Sequence, residues 1–256
     1  MREGPGLVDC HAHLCDPAFD ADRAEVLERA REAGVRAVVA VGETLADAER
    51  NLALASLHPE LRPAAGLYPT HLDAEQAHAV CDWIRAHRER IVAVGEVGLD
   101  HWKVREPAEH ELQREIFLCQ VRLAIELDLP LNVHSRSAAR AVIDLLLREG
   151  ARRVQLHAFD GRAATALPAV EVGFFFSIPP SVVRSTQKQK LVRRLPLESI
   201  LLETDSPVLG ALPGQRNEPA HVRVALAAVA ELKGLAEQHV AEAVAENVRR
   251  LYGSLS

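Results

Sequence analysis

Two spacings of apolar residues alternate along the chain. Short continuous apolar runs, rich in Val, Leu, Ile and Ala, fall at 7–10, 36–41, 62–66, 91–95, 131–134, 154–157, 174–177 and 200–203. Such runs suit parallel strands buried on both faces. Between them, apolar residues recur every three to four positions, at 21–33, 45–57, 74–87, 109–127, 138–149, 163–170 and 187–195. A last pair covers 221–232 and 236–252. This second spacing predicts amphipathic helices. Gly34, Gly150 and Gly173 sit where three helices should stop, as left-handed caps.

Eight strands in strict alternation with helices predict an α/β fold, a (β/α)8 TIM barrel, rather than an open sheet. The 256 residues suit one barrel domain over 1–256. No internal repeat, low-complexity tract or linker divides the chain. The Pro/Gly-rich stretch 209–219 reads as a long loop over the end of strand eight.

Composition narrows the setting. A hydrophobic content of 48% can fill a large core, and 26% charged residues is ordinary for a soluble protein. No apolar run reaches the roughly 18 residues of a membrane span. The opening residues, MREGPGLVDCHAH, carry no signal-peptide stretch. The cysteines, Cys10, Cys15, Cys81 and Cys119, form no CxxC pair, which fits free thiols in a reduced compartment. The expectation is a soluble intracellular protein, cytoplasmic or nuclear, with no membrane and no obligate protein partner. The net charge of −6 argues against a broad basic surface for long duplex DNA. It leaves open phosphate esters in a local pocket, where divalent cations supply positive charge.

Chemistry concentrates at strand ends. His11 and His13 in LVDCHAHL, Glu96 in VAVGEVGLD, His134 in PLNVHSR, His157 in VQLHAF and Asp205 in ILLETDSP all stand where a predicted strand finishes. In a barrel those ends meet in one mouth. Four imidazoles and two carboxylates from five strands imply a cage for two divalent cations, zinc, manganese or cobalt, with magnesium less suited. His11 and His13, two apart on a strand, face one side. Glu96 can bridge two cations, and Asp205 can orient or deprotonate a water. Asp9 and Glu203 read as supports for imidazoles or loops. Arg136 offers a fork for phosphate oxygens or a structural ion pair. Tyr68 and His71 in GLYPTH border the mouth, and Asn217 reaches a phosphate or caps the next helix. His101 is undecided. His58, His78, His87, His110, His221 and His239 read as surface residues.

Taken in order, LVDCHAHL, GEVGLD, PLNVHSRSA, HAF, LPLESILLETDSP, RNEP and ENVRRLY resemble the TatD family of metal-dependent deoxyribonucleases, a branch of the amidohydrolase-like barrels. The resemblance covers about residues 7–252. It implies a two-metal hydrolytic site, with His11, His13, Glu96, His134, His157 and Asp205 at its ligand positions and Glu96 as the bridge. It also implies that Arg136, Asn217 and the GLYPTH segment contact substrate, and that phosphodiester bonds in DNA are cut, often from an end. Single-stranded or frayed ends fit a barrel mouth better than smooth duplex. Three departures stand out. Cys10 replaces Ser, Thr or Ala. Tyr68–Pro69 stands where an HP pair is common. GLDHW brings His101 and Trp102 to the mouth, Trp102 either stacking on a base or packing as a lid. The other reading is a metal-dependent esterase or amidase on the same barrel, for instance acting on an aminoacyl-tRNA ester. Related amidases often bridge their metals with a carbamylated lysine, and strand four carries none.

Overall fold

The computed structural model describes residues 6–255, so the first five residues of the opening segment lie outside it. Eight parallel strands form one sheet in sequence order: β1 Leu7–Ala12, β2 Val35–Ala40, β3 Leu61–Ala65, β4 Ala93–Gly98, β5 Leu131–His134, β6 Val154–Leu156, β7 Phe175–Ile178 and β8 Ile200–Leu202. The sheet curls until its edges touch. Asp205 N donates to His11 O at 2.8 Å and His13 N to Ser206 O at 2.8 Å. The result is a nearly closed barrel.

Helices follow each strand: α1 Arg23–Glu32, α2 Leu45–Leu57, α3 Ala74–His87, α4 Pro107–Leu127, α5 Ala139–Arg148, α6 Ala163–Glu171, α7 Thr186–Arg194, α8 Val222–Lys233 and α9 Glu237–Tyr252. Each turns an apolar stripe to the sheet; α5, for example, buries Val142, Ile143, Leu145 and Leu146. Thr44 and Asp47 form a reciprocal capping box that starts α2. Gly34, Gly150 and Gly173 have φ of 85°, 72° and 87°, the left-handed caps that the sequence predicts.

The barrel interior departs from an apolar core. Asp9, Asn132, Gln155, Ser177 and Glu203 are all fully buried. Each buried polar group needs a partner, and here they find one another. Asn132 and Gln155 donate to Cys10 O at 2.9 and 3.1 Å. Gln155 also donates to Ser177 Oγ at 2.8 Å, which donates to Glu203. Tyr252 of α9 donates its hydroxyl to Gln155 at 2.6 Å. This polar layer lies one residue pair below the strand ends, because side chains two apart on a strand share a face. Among the described residues, no helix is long and apolar enough to cross a membrane.

Candidate metal centre

Asn132 precedes His134 by two residues, as Gln155 precedes His157, Glu203 precedes Asp205 and Asp9 precedes His11. Four of the six potential ligands, His11, His134, His157 and Asp205, therefore follow a buried polar residue two positions earlier. The structure brings all six potential ligands together. Glu96 stands in their midst, and its two oxygens face different partners. Its Oε2 lies 3.5 Å from His11 Nε2 and 3.2 Å from His13 Nε2. Its Oε1 lies 2.8 Å from His134 Nδ1 and 2.7 Å from His157 Nε2. Asp205 Oδ1 joins the first group, 3.4 Å from His11 and 3.6 Å from His13. Asp205 has a left-handed φ of 55°, a conformation that Asp tolerates better than most residues.

Charge in the cage is arranged for cations. Burial would depress the His11 imidazole, but Glu96 and Asp205 outweigh it and hold the pKa well above the ordinary range. His13 and His134 are raised to about 9 against the same burial, by Asp205 and Glu96 in one case and Asp100 and Glu96 in the other. His157 goes the opposite way, down to about 4, through burial and the neighbouring charge of His11. Burial would raise Glu96, yet His157 and His11 hold it well below the usual carboxylate range. The carboxylates thus stay ionised and draw positive charge to the imidazoles. A bound divalent cation would supply that charge instead of protons.

The donor set fits such ions. Ligand atoms of His11, His13 and Asp205 lie within 4.8 Å of one another, and so do those of His11, Glu96 and His157. His157 Nδ1 has no hydrogen-bond partner although buried. Imidazole and carboxylate together suit zinc, manganese or cobalt.

Two residues that the sequence reading passes over orient the imidazoles. Asp100, fully buried just past β4, sets Oδ2 3.1 Å from His134 Nε2. Asn132 sets Oδ1 2.8 Å from His11 Nδ1. Asp9 and Glu203 hold loops instead. Asp9 accepts from Thr204 N and Oγ1 at 2.8 and 2.5 Å, and Glu203 accepts from Ala158 N at 2.8 Å.

A cavity of about 440 Å³ opens above the cage. Arg136 and Tyr68 line it. Tyr68 meets His134 edge-on, with ring centroids 5.1 Å apart. Arg136 lays its guanidinium on the Trp102 ring, 3.7 Å from the centroid. Trp102 therefore backs the Arg136 cation. His101 stacks on His110, 4.0 Å between centroids. Glu43 and Lys188, absent from the sequence reading, also line the cavity. His71 stands back from it, its Nε2 3.8 Å from Glu43 Oε2.

Asn217 is a correction. Its side chain is buried and spent on the protein: Nδ2 donates to Thr204 O at 2.7 Å and to Val208 O at 2.8 Å, and Oδ1 faces His221 Nδ1 at 2.8 Å. It neither reaches the cavity nor caps a helix. It pins the loop after β8, whose residues Pro207, Val208 and Leu209 wall the cavity.

Known proteins share this architecture and sequence. The family described as TatD related DNase matches residues 8–253. The human protein named Deoxyribonuclease TATDN3 is 43% identical, over 98% of this chain and 96% of its own length. The metal-dependent hydrolase YabD of Bacillus subtilis is 34% identical, over 96% of this chain and 98% of its own. The crystal structure of YjjV, a TatD homologue from Escherichia coli, superposes with a TM-score of 0.89 at 29% identity, covering 97% of this chain and 98% of that one. This chain belongs to the TatD-related DNase family of hydrolases.

Proposed function

We propose that the protein is a two-metal phosphodiesterase acting on DNA, cutting inward from single-stranded or frayed ends. The chain acts as one barrel domain over 1–256. The observation that carries this reading is the split of Glu96, with Oε2 turned to His11 and His13 and Oε1 to His134 and His157. One carboxylate facing two imidazole pairs is suited to holding two cations side by side.

When bound, the cations polarise the phosphate and make water acidic enough to attack near neutral pH. The protein's own groups do the rest. Asp205 stays ionised because its bonds to His11 and His13 outweigh its burial. Its Oδ1 faces those imidazoles, so its other oxygen is the one to take the proton of the attacking water. Arg136, stacked on Trp102, directs its N–H edge to a phosphate oxygen. Tyr68 and the Pro207–Leu209 wall narrow the mouth. Asp16, Glu43 and Asp160 also line the cavity and add negative charge, so a polyanion is repelled until cations fill the cage.

The test is a metal-by-substrate matrix on protein stripped of metal. Zinc, manganese, cobalt and magnesium are each offered with a single-stranded oligonucleotide, a duplex, a phosphomonoester and an aminoacyl ester. Turnover of the oligonucleotide with shortening from one end is expected. Turnover of the aminoacyl ester alone would replace this reading with the esterase one.

A further inference from the structure

Lys188 lies in the first turn of α7, where Ser185 Oγ caps its backbone N–H. Lys190, Arg193 and Arg194 of the same helix are exposed. Lys188 turns inward and is only 9% exposed. It lines the cavity beside His157 and Asp205. Its Nζ donates to Ala158 O at 2.7 Å. An ammonium carries three N–H groups. No carboxylate forms an ion pair with this one among the described residues. Burial pulls its pKa below the ordinary lysine range, although Glu203, Asp205 and Asp160 act to raise it.

A charge buried this way is costly unless it gains a partner. Tying one carbonyl would need only a neutral donor. Two other groups of the same cavity have donors to give, one buried and one exposed and stacked on Trp102. Ser135 Oγ is buried without a hydrogen-bond partner. Arg136 forms no ion pair among the described residues. These open donors converge on one space, from the ends of β5 and from α7, and they want an anion.

We propose that Lys188 is a substrate-binding residue whose ammonium takes an anionic oxygen of the phosphate group lying over the cage, from the α7 side, while Arg136 takes another from the β5 side. This rests on the phosphoesterase reading and deepens it. A phosphodiester carries two non-bridging oxygens, and two cations on separate segments can hold one each. The pairing selects a tetrahedral anion over the planar, neutral carbonyl of an ester or amide.

The test uses the metal-loaded full chain with Lys188→Gln, Lys188→Met and Lys188→Arg. Gln keeps a neutral donor near Ala158 O and loses the charge; Met loses both; Arg keeps the charge. Calorimetric affinity for inorganic phosphate, KM and kcat on a single-stranded oligonucleotide, bound metal and Tm are compared. Lys188→Gln and Lys188→Met should weaken phosphate binding and raise KM about tenfold or more, with bound metal unchanged. Lys188→Arg should recover most of that loss. Wild-type phosphate affinity in Lys188→Gln overturns the proposal. So does a loss shared by all three variants together with bound metal, the signature of a purely structural tie. If the unsubstituted protein neither binds phosphate nor cleaves any phosphoester, the phosphoesterase reading itself falls, and this one with it.

Discussion

His11 and Asn132 meet through the middle of the barrel: Nδ1 of the imidazole and Oδ1 of the amide lie 2.8 Å apart, although β1 and β5 are far from neighbours in the sheet. The amide cannot be reversed, because its Nδ2 donates to Cys10 O at 2.9 Å and to the Tyr252 hydroxyl at 3.3 Å. Its oxygen only accepts, so it fixes the proton of His11 on Nδ1. That leaves Nε2 facing Glu96 and Asp205 with a lone pair to give a cation.

Asn132→Ala should therefore weaken metal binding about 10–100-fold, the usual cost of losing a group that orients a ligating imidazole. Competition with a chelator of known affinity measures it. The fold should survive, since the cavity left is small. Metal affinity equal to the unsubstituted protein would show that His11 needs no such guide.

Asp205→Asn separates chemistry from folding. The amide has almost the same shape, but it cannot take a proton. Turnover of a single-stranded oligonucleotide should fall by about 10²–10⁴-fold, the range for a positioned base. Circular dichroism of the metal-free protein should change little, while its Tm near neutral pH should fall, because Asp205 is one of the groups that hold the His11 and His13 imidazoles protonated. Wild-type kcat with metal bound would remove Asp205 from the proton transfer.

The metal-free cage predicts an unusual pH profile. His13 and His134 titrate at about 9 in the fold, against about 6.5 unfolded. A raised imidazole contributes stability that is fully present below the unfolded pKa and is lost as pH rises through the folded one. Protein stripped of metal should thus lose Tm between about pH 6.5 and 9. Bound cations displace those protons, so the loaded protein should hold its Tm over the same range, and metal affinity should climb with pH. Thermal scans of both forms across this window check the sign; parallel curves would mean that protons and cations do not compete.

Most of the frame is readable from periodicity, and the limits of that reading have physical causes. α2 and α3 begin and end where the apolar spacing puts them, at Leu45–Leu57 and Ala74–His87. β1 and β4 run further than their apolar stretches, to Ala12 and Gly98, because hydrogen-bonded strand continues under polar ligands that face the interior. The six ligands are legible since each stands where a predicted strand finishes. Asp100 and Asn132 are not, because their worth lies in a neighbour from another strand. A signal does exist for Asn132: it sits two before His134, on the same face of β5. Lys188 is hidden by company. In TQKQKLVRR it reads as one more charge on a solvated helix face, and only docking of α7 reveals that it points inward.

Gly98 and Gly34 allow the last prediction, because both have positive φ, 149° and 85°, in opposite surroundings. A Cβ on Gly34 would meet nothing within 4 Å. Gly34→Ala should cost only the backbone strain, about 1–2 kcal/mol. A Cβ on Gly98 would come within 2.0 Å of His134 O, a backbone atom that cannot swing aside. Gly98 also pairs with His134 in the β4–β5 ladder, so relief means prising apart the strands that carry Glu96 and His134. Gly98→Ala should therefore lower Tm several-fold more than Gly34→Ala and also lose bound metal, which Gly34→Ala should retain. Thermal denaturation with metal analysis of both variants decides it; full metal occupancy in Gly98→Ala would mean that the contact between these strands is not what sets the cage.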